Sequence, residues 1–173
     1  MFHHISMAAE NPQKVAQVLA EITGGQFFEF PVSPGAYMVT FDDGQGSGIE
    51  VLPQDTVWMA GAVEAEARPA ELPRFSATHA ALSVSVSRDV IEEIGRREGW
   101  LVRLCDRGPF RVIELWIENH FMLELLTSDM TADYIHFMKP DVYSNFLADM
   151  AATSDRDAAL EKWVSTPQPL VCQ

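Results

Sequence analysis

The chain has 173 residues, 47% of them hydrophobic, which is enough for one domain or two small modules sharing a core. Its formal net charge of −13, with no cluster of Lys and Arg, argues against a nucleic-acid partner, because phosphate binding needs a basic face. No apolar run approaches membrane-spanning length and Met1 to Ile5 lacks the layout of a signal peptide, so the expectation is a cytoplasmic protein with no membrane partner.

His3 to Ala9 reads as a first strand, short and mostly apolar. Asn11-Pro12 then gives a helix start, with Asn11 as N-cap and Pro12 at the first helical position. Val15, Val18, Leu19 and Ile22 make the apolar stripe of that helix, and Gly24-Gly25 ends it. Strands follow over 26–31, 37–41 and 48–52, separated by Pro34-Gly35 and by the turn region Asp42 to Gly46. Phe27, Phe28 and Phe30 are expected to fill the sheet core.

Residues 54–75 break the pattern with Pro69, Pro73 and several Ala and Glu, and read as a connection, part of it helical or packed over a pocket. The order then repeats. Thr78 to Val86 is a strand, Ser87 an N-cap, and Val90, Ile91 and Ile94 the face of a helix ending near Gly99. Strands over 101–105, 111–117 and 121–126 complete the second unit, with turns at Asp106 to Pro109 and at Glu118-Asn119.

The tail from Thr131 to Trp163 reads as helical and divided at Pro140. Phe146, Leu147 and Met150 form one apolar cluster, and Leu160, Trp163 and Val164 another. The predicted organisation is a first βαβββ module at 1–53, a connection at 54–75, a second βαβββ module at 76–128 and a helical tail at 129–173. Cys105 and Cys172 have no motif spacing and read as reduced thiols.

The two halves also match residue by residue. His79 lies 75 residues after His4, and Glu124 lies 74 residues after Glu50. Glu50 sits between Ile49 and Val51, and Glu124 between Leu123 and Leu125. An ionised carboxylate in a buried strand costs on the order of several kcal/mol unless it is paired, and a divalent metal is one strong partner. Two imidazoles and two carboxylates form such a donor set, accepting Ni, Co, Zn, Mn or Fe. The repeat selects His4 over its neighbour His3; His120 and His136 have no counterpart and read as surface or packing residues.

Two βαβββ units, each with His on the first strand and Glu on the last, resemble the vicinal oxygen chelate superfamily of glyoxalases, bleomycin-resistance proteins and dioxygenases. The resemblance covers residues 2 to 127 and implies an α+β fold, two modules whose curved mixed sheets form a cup, with the helical tail outside it. Its glyoxalase branch implies one divalent ion on His4, Glu50, His79 and Glu124. It also implies catalysis by Glu124 or Glu50 as the group that moves a proton, with a small-molecule substrate chelated through neighbouring oxygens. Ala8 stands where bacterial glyoxalases carry the Arg that grips glutathione, so the resemblance carries over without that contact. Many relatives are homodimers, some building each site from two chains. Two further readings follow from other branches: an Fe(II) ring-cleaving dioxygenase, which needs only three ligands, and a metal-free ligand-binding protein of the bleomycin-resistance kind.

Overall fold

The computed structural model describes residues 3–31, 33–62, 65–71 and 74–152. It contains two copies of one unit. The first runs β1 (His4–Ala9), α1 (Pro12–Thr23), β2 (Gln26–Glu29), β3 (Tyr37–Thr40) and β4 (Gly48–Pro53). The second, after a hairpin of β5 (Thr56–Ala60) and β6 (Ala65–Pro69), runs β7 (Ala80–Ser83), α2 (Arg88–Glu98), β8 (Leu101–Asp106), β9 (Arg111–Ile117) and β10 (Phe121–Leu126). The strand orders are β1-β4-β3-β2 and β7-β10-β9-β8, the same topology twice. In each sheet the first and last strands pair in parallel and the others antiparallel. The fold is therefore α+β, with mixed sheets and a helical extension, α3 (Ser128–Phe137) and α4 (Pro140–Ala152).

The helix ends follow the chemistry of their caps. The Asn11 side chain accepts from the Lys14 N–H at 3.1 Å, and the Ser87 hydroxyl accepts from the Val90 N–H at 3.4 Å. Gly24 and Gly99 close the two helices in the left-handed conformation, both at φ 71°. Val15, Val18, Leu19 and Ile22 are all buried against the first sheet, and Ile91 and Ile94 against the second. Val90, placed by periodicity on the same stripe, is instead 41% exposed beside the fully buried Ile91.

Three other expectations change. Among its described residues the connection holds the β5–β6 hairpin and no helix, with Ala60 opposite Ala65. The first strand of the second unit is shorter than Thr78 to Val86, since its ladder with β10 spans only Ala80 to Ser83. Phe27 packs on the core while Phe28 is 52% exposed, since adjacent strand residues face opposite ways. Pro73, the cluster of Leu160, Trp163 and Val164, and Cys172 lie outside the described residues. Among the described residues, no helix is long and apolar enough to cross a membrane.

The two units are joined by polar contacts at both ends of α1. Glu118, in the β9–β10 turn, accepts from the Glu10 and Asn11 N–H groups at 2.6 and 2.8 Å and so caps the start of α1 from the other unit. Arg97 of α2 grips Glu21 of α1 through two nitrogens, at 3.1 and 2.7 Å, and Lys14 reaches Glu98 at 3.1 Å.

Candidate functional site

Strand register sets out the site. In the first sheet Glu50 stands opposite Ser6 and Met38. In the second, Glu124 stands opposite Ala81 and Glu114. Ser6 lies two residues after His4, and Ala81 two residues after His79, so the two His-then-Glu sets occupy equivalent register positions. Both carboxylates face away from α1 and α2, because their strand neighbours Ile49, Val51, Leu123 and Leu125 supply the buried apolar face.

In the first unit, His4 and Glu50 come together. His4 Nε2 is 3.8 Å from Glu50 Oε1, while the Ser6 hydroxyl donates to Glu50 Oε2 at 2.5 Å. The His4 side chain is 58% exposed and that of Glu50 is 12% exposed, so the pair opens outward from a firm base. In the second unit the two residues are apart. His79 is exposed one residue before β7, with Nδ1 3.3 Å from the Ala77 carbonyl oxygen. Glu124 instead accepts from Arg107 Nη2 at 2.6 Å. Among the described residues, no group of three or more His, Cys, Asp or Glu side chains converges as a metal would require.

Sequence reasoning missed the partners of Glu124. Glu114 is 4% exposed on β9, and its carboxylate accepts from Arg103 Nε at 2.7 Å, Arg107 Nη2 at 2.7 Å and Trp116 Nε1 at 3.0 Å. Burial pushes its pKa up, but the donors Trp116, Arg107 and Arg103 outweigh burial and hold it at about 2. Arg103, Glu114 and Glu124 form one row across the sheet, and Arg107 bridges the two carboxylates from the loop beyond β8. Cys105 lies beside them, and burial first of all pushes its thiol up, so it is not a ready thiolate.

Two cavities border these residues. A cavity of about 210 Å³ between the units is lined by Ser6, Gln54, Arg74 and His120. Gln54 Oε1 and His120 Nε2 are buried there without a hydrogen-bond partner among the described residues, a setting that suits bridging water. His120 thus lines an internal space and is not a surface residue. A larger cavity lies over Arg107 and Glu124, walled by aromatic side chains of α3 and α4.

No protein-family model and no curated protein matches this chain. Among solved structures, it is similar to the fosfomycin resistance protein FosX from Listeria monocytogenes, at 15% identity over 72% of this chain and 87% of that one, with a TM-score of 0.49. FosX from Mesorhizobium loti matches at 13% identity over 78% of this chain and 96% of that one, TM-score 0.48. The oxidase ChaP-H2 matches at 18% identity over 73% and 92%, TM-score 0.41. FosX proteins are members of the vicinal oxygen chelate superfamily.

Proposed function

We propose that this chain is a metal-dependent lyase or isomerase of the glyoxalase kind, acting on a small substrate chelated through neighbouring oxygens. The metal donors are His4, Glu50, His79 and Glu124. The observation that carries this reading is the matched register: each Glu pairs with the residue two places after a His, once in each unit.

The donors suit a divalent ion in their chemistry, two imidazoles and two carboxylates, with Ni, Co, Zn, Mn or Fe all acceptable. In geometry a single chain brings only His4 and Glu50 together, at 3.8 Å. We therefore place the full set in a homodimer, where the first unit of one copy faces the second unit of the other. When bound, the ion supplies Lewis-acid stabilisation of the negative charge that develops on the substrate oxygens. Ser6 fixes Oε2 of Glu50 and leaves Oε1 towards His4. Arg107 fixes Oε1 of Glu124, so Oε2 is the oxygen that would hold the ion or, released from it, exchange a proton with the substrate.

Plasma mass spectrometry of the purified protein tests this. We expect about one divalent ion per site, lost in the His79→Ala, Glu124→Ala double variant. A wild-type protein that stays empty after incubation with Ni, Co, Zn, Mn or Fe(II) contradicts it. That result would favour a second reading, a metal-free protein that sequesters a ligand, which the aromatic cavity over Glu124 supports.

A further inference from the structure

The helical extension lies outside the repeated units, yet it borders an open cavity of about 540 Å³ against the second sheet. That volume is in the range of small-molecule sites. Arg107 and Glu124 form its floor, and Phe110, Phe137, Tyr143 and Phe146 its walls. The rings are arranged about Phe137, whose centroid lies 5.6 Å from Phe110, 5.3 Å from Tyr143 and 5.2 Å from Phe146. The last two contacts are edge-to-face, so the rings pack as one aromatic cluster that lines the cavity.

The floor is polar in a particular way. Arg107 uses only Nη2 to hold Glu114 and Glu124, and its Nε and Nη1 donate to nothing among the described residues. Its side chain remains 36% exposed. Arg103 and Arg107 together balance the charges of Glu114 and Glu124. An added anion therefore meets unused N–H donors and no unbalanced carboxylate. A cation would lie beside the Arg107 guanidinium, and its carboxylate partner there would be Glu124, whose charge Arg107 already balances. A purely apolar guest would strip water from those donors without replacing it.

We propose that this cavity binds an aromatic acid, its ring among Phe110, Tyr143 and Phe146 and its carboxylate on the free donors of Arg107. Glu124 borders both this cavity and the proposed metal site, but binding here requires neither metal nor turnover. It can therefore hold or fail apart from the metal reading.

Isothermal titration of the full chain in excess EDTA tests it, with 2-naphthoate as probe. We expect saturable binding, with the uncharged 2-naphthamide weaker by about tenfold or more, as befits loss of a charge-assisted hydrogen bond. Phe146→Ala, on a helix with no buried residue, should fold and weaken naphthoate several-fold. Arg107→Gln should weaken naphthoate but not naphthamide, and circular dichroism reports whether it folds. The proposal is overturned by absence of saturable naphthoate binding, by naphthamide or 2-naphthylmethylammonium binding as tightly, or by unchanged affinity in Phe146→Ala. The comparison of probes on the wild-type chain decides the matter even where Arg107→Gln does not fold.

Discussion

Glu114 sits 4% exposed between the fully buried Ile113 and Leu115, and its charge survives because Arg103, Arg107 and Trp116 all donate to it. Its folded-state pKa of about 2 lies below the ordinary carboxylate value of 4.5. The unfolded chain therefore binds the proton first as pH falls. The stabilisation is whole above pH 4.5 and is lost as pH drops towards about 2, on the order of 3 kcal/mol in all. Glu114→Gln should lower stability at neutral pH and flatten its fall across that acid window, measured by urea unfolding at a series of pH values. A variant whose acid profile overlays the wild type would show that the network does not hold this charge. The sequence carried the same signal for Glu114 as for Glu50 and Glu124, a carboxylate between two apolar strand residues. The repeat filtered it out, because its register equivalent in the first sheet is Met38. His4 and Glu50 were legible from spacing, whereas the hold of Arg107 on Glu124 depends on a loop path that spacing does not encode.

At the scale of elements, what was legible had local chemistry. Asn11-Pro12 and Ser87 start the helices, and Gly24 and Gly99 stop them, through contacts within a few residues. The β5–β6 hairpin was not legible, although Thr56, Val57 and Trp58 favour a strand, because its partner Ala65–Pro69 carries little strand propensity and the side chains of both are mostly exposed. The short β7 was overextended for a related reason: apolar alternation runs on past Ser83, but pairing with β10 stops there. Gly95 marks a close approach that sequence reading passed over. A Cβ there would clash with Val102 Cγ2, so α2 lies tight on β8 because this residue has no side chain. Gly95→Ala gains about 1 kcal/mol of helix propensity and loses roughly 1–3 kcal/mol to overpacking. We expect a net fall in Tm, read by differential scanning calorimetry; a rise would mean that the helix lifts off the strand at little cost.

The whole molecule combines two equivalent units with an extension that belongs to neither. The duplication was legible because one fold solution recurs with its His and Glu positions kept. The contacts that join the units were not, since Glu118 capping α1 and Arg97 gripping Glu21 link residues far apart in sequence with no shared pattern. Nor was the place of the extension, whose aromatic residues pack on one another and also line a cavity over Arg107 and Glu124. The proposed site holds one ion on four donors, two of them from each of two copies. Its most direct test mixes a His4→Ala, Glu50→Ala chain with a His79→Ala, Glu124→Ala chain carrying a different tag, isolates the mixed dimers and counts their metal. Neither variant alone should bind an ion, and the mixed dimer should bind one, because one of its interfaces keeps both intact units. Mixed dimers without metal, beside a wild type that binds it, would contradict a site shared between copies.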